Sequence, residues 1–362
     1  MESKKSISNR KILVQPVNMA RRAHASYRNL RERENRRVPA LRVEGTSSTP
    51  TIYYLAPCEN KPSGGVKVIY QHVEILSSIG FQSAVFHPKD GFRCDWFPSQ
   101  ARVVTPRTIK FAANDILVIP EFYGRSMPKI DDKVRKVVLN QAAHRTFDGM
   151  PLTSTRSNAG YFGLNNLEGL LCISEDNVEL LNYAFPTIKK TLIRNVVDPR
   201  VFRKRSKKAE KIISFVPSRR HDELHQILHI LQAPGGQIAK GDWKLRELSG
   251  LSEEDMGDAL RESAIFMSLS DRDGFGLPPA EAMATGCFVI GYPGAGGNEF
   301  FDPAYCSPVA DTTQMIRALH HGMATDPAKL AELGRAASSR ILGYYTTEGL
   351  KSDLKRFYDD LI

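Results

Sequence analysis

The stretch Ser268-Leu-Ser-Asp271-Arg-Asp273-Gly-Phe-Gly-Leu-Pro-Pro-Ala-Glu281-Ala-Met-Ala-Thr-Gly286-Cys-Phe-Val-Ile-Gly291 decides the fold. A largely apolar run over residues 264–270 ends against an acid. A Gly-Phe-Gly-Leu-Pro turn then opens a helix, with proline near the first turn, where a missing N–H costs nothing. Gly286 ends that helix, since glycine takes the left-handed conformation of a C-terminal cap, and a second apolar run starts at Cys287. Strand, turn, helix, strand in this order is one unit of a parallel α/β sheet. Ligands of such sheets bind beyond the carboxyl ends of the strands. Asp273 and Glu281 are therefore placed to converge on a strand-end cleft. Capping explains either acid alone, but not the whole arrangement. Downstream, Gly294-Ala-Gly-Gly-Asn-Glu299 adds an amide-rich turn followed by an acid.

Working outward, the same alternation runs in both directions. Strands are expected at 51–57, 83–87, 102–105, 115–120, 136–141, 169–174 and 191–197, with helices at 65–79 and 175–184. The basic run Arg200-Val-Phe-Arg-Lys-Arg-Ser-Lys-Lys-Ala-Glu-Lys211 breaks the apolar pattern, so a domain boundary is placed near 198–210. Beyond it come strands at 212–216, near 242–246, at 264–270 and at 287–291, helices at 221–232, 252–262 and 278–285, and further helices over most of 311–362. The expected organisation is a basic arm at 1–50, one α/β domain at 51–197, a second at 198–345, and a C-terminal helix at 346–362.

A chain of 362 residues with 41% apolar and 25% charged residues is an ordinary globular protein of about two domains. No uncharged apolar run approaches the ~20 residues that span a bilayer. Five cysteines form an odd set without a C-x-x-C pair and read as free thiols in a reducing cytoplasm. The formal charge of +10 is concentrated, because residues 1–50 carry +8 of it and the rest is nearly neutral. Nucleic-acid binding by the body thereby loses most of its support, and no nucleic-acid partner is expected. Within the arm, Met19, Ala23, Tyr27 and Leu30 recur at helical spacing beneath arginines. Residues 1–45 are either a basic amphipathic helix for an anionic membrane or a solvated leader.

Two other strand-end loops stand out. Gly64-Gly65, just before a helix, lets backbone N–H groups approach an anion; an ordinary turn would look the same. Arg219-Arg220 joins a strand to a helix, and paired guanidinium forks suit phosphate oxygens, though a solvated pair is equally consistent. His221, His225 and His229 share one helix face, but no acid or cysteine partner stands at a recognised zinc spacing.

Residues 268–299 resemble the donor-binding region of retaining glycosyltransferases of family 4, the group 1 enzymes whose GT-B fold sets two Rossmann-like domains across a cleft. Their signature, Glu-x7-Glu within S-x-x-E-G-F-G-L-P-x-x-E-A-M-A-x-G, is matched nearly throughout, with Asp273 for the first glutamate and Glu281 as the second. Weaker similarities cover most of 51–345: Gly64-Gly65, Cys172-Ile-Ser-Glu175 and Leu192-Ile-Arg-Asn195-Val-Val-Asp198.

The resemblance implies a transferase moving a sugar from a nucleotide-diphosphate sugar to a glycan or lipid-linked acceptor, with retention, in polysaccharide or glycoconjugate synthesis. It implies that Glu281 takes the ribose hydroxyls and Asp273 faces the donor sugar. Amides near Gly296, Gly297 and Asn298 would border sugar and phosphates, and Arg219 or Arg220 would neutralise the departing diphosphate. His144 is a candidate for the residue of the N-terminal domain near the reacting sugar, or a structural loop histidine. The family usually has an arginine and a lysine several residues apart where Arg219-Arg220 stands, which leaves open which arginine meets phosphate. Asp273 is shorter than glutamate by one C–C bond, ~1.5 Å. A catalytically silent module that binds nucleotide sugar or glycan is the alternative. With arginines to neutralise the departing diphosphate, no metal and no other cofactor is expected.

Overall fold

The computed structural model describes residues 36–362 except 39, 149, 151, 153–159, 207–208, 237 and 240. The first half is built on strands β1 (Thr51–Leu55), β2 (Gln82–Phe86), β3 (Val103–Val104), β4 (Ile116–Pro120), β5 (Arg135–Asn140), β6 (Leu167–Cys172) and β7 (Lys190–Leu192). They form one parallel sheet in the order β3-β2-β1-β4-β5-β6-β7, flanked by helices α1 (Gly64–Ser78) and α2 (Glu175–Ala184). Its central strands are buried along both faces, as the apolar run Ile116-Leu-Val-Ile in β4 requires of a sheet covered on two sides.

The second half holds β8 (Glu210–Phe215), α3 (His221–Gln232), β9 (Lys244–Glu247), α4 (Glu253–Glu262), β10 (Ser263–Leu269), α5 (Leu277–Thr285), β11 (Phe288–Tyr292) and β12 (Ser307–Pro308). Its parallel sheet runs β12-β11-β10-β8-β9. Helices α6 (Thr312–Ala324), α7 (Pro327–Tyr344) and α8 (Thr347–Asp359) complete the chain. Their starts are capped from the sequence: Asp311 accepts from the Gln314 N–H, Asp326 from Ala328 and Thr346 from Gly349. The molecule is thus an α/β protein with two parallel Rossmann-like sheets.

In each sheet the strand order reverses once. The first sheet turns between β1 and β4, the second between β8 and β10, and such switch points open crevices at the carboxyl ends. The halves are joined by packing. Helix α8 returns to the first half, where Leu350, Leu354, Phe357 and Tyr358 share a core with Ile52, Tyr54 and Val73. The Tyr54 and Tyr358 hydroxyls lie 3.0 Å apart in that core, and Arg194 makes a bidentate pair with the buried Asp353. Among the described residues no helix is long and apolar enough to cross a membrane.

Two boundaries differ from the sequence expectation. Residues 36–50 are not free of the body: Val38, Leu41 and Val43 pack on the core, Val43 pairs with Phe111, and Ser47 bonds Asn114. Three apolar residues spread over a turn-rich stretch give no periodic signal, which is why the attachment is invisible in sequence. The strand expected over 191–197 stops at Leu192. Beyond it the chain crosses between the sheets, with Ile193 N–H bonded to Cys172 and Val197 N–H to Tyr345. That crossing is buried, so its apolar residues mimic a strand. The Met19, Ala23, Tyr27 and Leu30 stripe lies outside the described residues.

Candidate active site

The second switch point gathers the loops that follow β8 and β10. The β8 loop carries Arg219 and Arg220, and the β10 loop carries Asp271 and Asp273. Arg220 is fixed in place. Its Nε donates to the Ser270 carbonyl at 3.1 Å, one Nη to Glu223 at 3.0 Å, and its guanidinium lies 3.8 Å from the Tyr292 ring centre. Glu223 also accepts from Tyr292 and Thr312. Burial raises its pKa, but these donors outweigh burial and hold the carboxyl below its ordinary range. Arg220 also adopts φ of +46°, a left-handed turn that aims the two neighbouring arginines in different directions. Arg219 is half exposed and has one ionic partner, Asp273, at 3.6 Å.

Asp273 is held by its backbone. Its N–H donates to the Gly294 carbonyl and its carbonyl accepts from Gly296, so the β10 loop is zipped to the turn after β11. This corrects one expectation about that turn. The Gly296, Gly297 and Asn298 N–H groups close bonds to Asp273, Pro293 and Ala295, and do not stand free toward a ligand. Their role is to shape the turn. Glu299, at its end, accepts from the Glu175 N–H at the start of α2 and from the Tyr345 hydroxyl, linking the halves. Burial raises its pKa.

Glu281 lies in the second turn of α5, half-buried, and makes no hydrogen bond to a described residue. Burial pushes its pKa up to about 7, opposed by the Lys67 charge and reinforced by Glu253. A half-buried carboxylate with its acceptors open is suited to a pair of hydroxyls.

The first half meets this surface through two loops. Gly64 and Gly65, at the start of α1, pack against Leu277 and Gln141; a Cβ on Gly64 would lie 3.0 Å from Leu277. The Gln141 amide donates to the Gly65 carbonyl, and the Gln141 main chain lies so close to Gly274 that no side chain fits there. His144 follows in a short 3-10 turn. Burial and the charges of Arg272 and Arg145 lower its pKa, while Asp148 and Asp273 oppose them.

Of the sequence-predicted residues, the structure pairs Arg219 with Asp273, brings the charge of Asp273 to bear on His144, packs Gly64 on Leu277 at the start of the helix that carries Glu281, and ties Arg220 into scaffolding. His221, His225 and His229 all face solvent, and among the described residues no cluster of three metal-ligand side chains occurs. Two residues went unnoticed in the sequence. Glu121 directly follows β4 at the first switch point, is buried, and accepts from the Gln141 N–H at 2.9 Å. Burial pushes its pKa up to about 7. An acid immediately after the fully apolar strand 116–120 was the available signal. Lys67, one turn into α1, pairs with Glu253 of the other half.

Comparisons with known proteins agree with this fold. A family model described as glycosyl transferase-like matches residues 217–350, the region that holds both arginines, Asp273 and Glu281. An alpha-1,6-glucosyltransferase of Actinobacillus pleuropneumoniae is 25% identical over 244 residues, which cover 65% of this chain and 71% of that protein. Sucrose-phosphate synthase from Thermosynechococcus elongatus superposes with a TM-score of 0.67 at 15% identity, covering 86% of this chain and 99% of that one. HepE of Anabaena, solved with UDP and glucose, superposes at 0.60 and 12% identity over 86% of this chain and 100% of its own. By its two-sheet fold and the match of its second half, this chain is a glycosyltransferase of the GT-B type.

Proposed function

We propose that the protein is a retaining, family 4 enzyme that moves a hexose from a nucleotide-diphosphate sugar to a glycan or lipid-linked acceptor in polysaccharide or glycoconjugate synthesis. The observation that carries this reading is that the loop after β10 pairs Asp273 with Arg219 and leads directly into the helix that carries Glu281, whose carboxylate makes no hydrogen bond to a described residue. Glu281 takes the two ribose hydroxyls. Asp273 turns to the sugar hydroxyls, and its release frees Arg219 for the diphosphate. As the anomeric C–O bond breaks, negative charge grows on the diphosphate, and a preplaced guanidinium is worth most at that moment. His144 borders the reacting sugar from the acceptor side. The glucosyltransferase relative and the UDP and glucose bound to HepE support a uridine nucleotide and a hexose as first choices.

The reaction needs neither a metal nor another cofactor in this proposal, because the arginine supplies the positive charge. We place the enzyme in the cytoplasm, with the basic arm ahead of the packed residues 36–50 resting on an anionic membrane where a lipid-linked acceptor waits. Attraction of about 1 kcal/mol per near-surface Lys or Arg supports weak, reversible adsorption. Sedimentation with anionic vesicles should lose the protein from the supernatant at low salt only when residues 1–35 are present; retention there refutes the membrane assignment. The test of the reaction is incubation with UDP-glucose and other nucleotide sugars, followed by NMR of the product anomer. Transfer with retention supports the proposal. Nucleotide binding without turnover identifies the silent module instead, and an inverted product refutes the mechanism.

A further inference from the structure

Gln141 is the point at which three separate segments of the cleft meet. It directly follows β5, and because β4 and β5 stay paired as far as Pro120 and Leu139, Glu121 emerges beside it. The Gln141 N–H donates to the buried Glu121 carboxylate at 2.9 Å, and its side-chain amide donates to the Gly65 carbonyl at 3.2 Å. Its own carbonyl meets the second half, where a Cβ on Gly274 would lie 1.7 Å from that oxygen and 3.2 Å from the Ala142 Cα. The residues on either side are pinned as well. Asn177 of α2, fully buried, donates to the Asn140 carbonyl at 3.1 Å and accepts from the Ala143 N–H at 3.2 Å. Gly274 does not hold a left-handed backbone, so its own conformation does not call for glycine; the close approach of the opposing main chain does.

We propose that Gln141 is a positioning residue for sugar transfer: its main chain, anchored by Glu121 and Asn177, is the seat on which the loop carrying Asp273 docks through Gly274. The inference rests on Asp273 facing the donor sugar, as proposed above. Asp273 is the residue before Gly274, and His144 lies three residues after Gln141, so one contact sets both sides of the reacting centre. The side-chain bond to Gly65 adds the loop at the start of α1 to the same arrangement. A Cβ at position 274 reaches ordinary contact, near 3.4 Å, only after loop and seat part by about 1.7 Å. Misplacement of ~1 Å at a reacting centre costs about 10²-fold in rate. The nucleotide is held by the second half, so loss of the seat costs rate and spares nucleotide binding.

The test sets nucleotide release from UDP-, GDP-, ADP- and dTDP-glucose beside affinity for the matching diphosphate, measured by titration calorimetry. Gly274→Ala should lower kcat at least about thirtyfold, with the donor KM and the diphosphate affinity within about threefold of wild type. Glu121→Leu acts from the first half and leaves the donor loop unaltered; by removing one hydrogen bond from the seat it should lower kcat about three- to tenfold with the same sparing of KM. Glu121→Gln keeps an acceptor for the Gln141 N–H and should turn over at the wild-type rate. A misfolded variant would lose rate and affinity together. A normal kcat in Gly274→Ala, or a parallel loss of rate and diphosphate affinity, overturns the inference and leaves the transferase reading standing. If Gly274→Ala does not fold, the Glu121 pair decides, and equal turnover in Glu121→Leu and Glu121→Gln overturns the inference. Wild-type protein that releases nucleotide from none of the four donors refutes the reading of Asp273, and this inference with it.

Discussion

Arg219 and Arg220 are adjacent in sequence, and the structure gives them different work. Replacing each by alanine separates the two roles. Arg220 loses a charge-assisted bond to Glu223 at 3.0 Å, another to the Ser270 carbonyl at 3.1 Å, and a ring contact with Tyr292 at 3.8 Å. Charge-assisted bonds contribute about 1.5–3 kcal/mol and a cation over a ring about 0.5–1 kcal/mol. Partial exposure brings the total to roughly 2–3 kcal/mol. At about 2–4 °C per kcal/mol for a domain of this size, Arg220→Ala should lower the melting temperature by roughly 4–12 °C. The left-handed backbone is no part of this loss, because alanine carries the same strain there. Arg219, half exposed with one partner at 3.6 Å, contributes at most ~1 kcal/mol to stability. Its removal should leave the melting temperature within about 4 °C of wild type. It should also slow turnover at saturating donor ~10²-fold, the equivalent of about 2.7 kcal/mol of leaving-group stabilisation. Thermal melts and nucleotide-release rates on the same preparations decide the matter. A normal rate in Arg219→Ala, or an unaltered melt in Arg220→Ala, refutes the division of roles.

Three further outcomes follow from the same contacts. Asp273→Asn removes charge with little change of size, so transfer should fall at least tenfold while nucleotide affinity stays within about twofold; a parallel loss of nucleotide binding would move Asp273 away from the sugar. Arg194→Ala leaves the buried Asp353 with the backbone N–H of residue 194 and the Arg356 contact but without its bidentate partner, and should destabilise by about 3 kcal/mol in urea melts, an effect absent if the C-terminal helix does not hold the halves together. Burial lowers His72 to about 3 and His87 to about 4, so the folded state binds fewer protons than the unfolded chain below pH 6.5. Stability should therefore fall as pH drops from 6.5 toward 4, by roughly 1.4 kcal/mol per histidine per pH unit, and His72→Leu should flatten the dependence in equilibrium melts.

The alternation of strands and helices was legible because each half buries one sheet between helices, which forces a periodic apolar code. Helices 175–184 and 221–232 start and stop where the sequence places them, the first behind its Ser174 cap. The donor-side acids and arginines were legible because strand-end loops carry chemistry by topology. Direction was not. A Gly-Ala-Gly-Gly turn contains amides, but only the fold shows that they bond inward, and an Arg-Arg pair does not reveal which guanidinium is anchored until Tyr292 and Glu223 come near. Residues that act between the halves, such as Lys67, Glu299 and Gln141, depend on contacts between segments far apart in the chain, and no local pattern marks them.

The most direct test of the central claim is nucleotide release from UDP-, GDP-, ADP- and dTDP-hexoses, measured for wild-type protein and Glu281→Ala with the transferred sugar identified by mass spectrometry. The account predicts release from at least one donor by wild-type protein and a loss of at least tenfold in the variant at low donor concentration, recovered in part by raising the donor. Release that is indifferent to Glu281, or no release and no binding of any donor by wild-type protein, would contradict it.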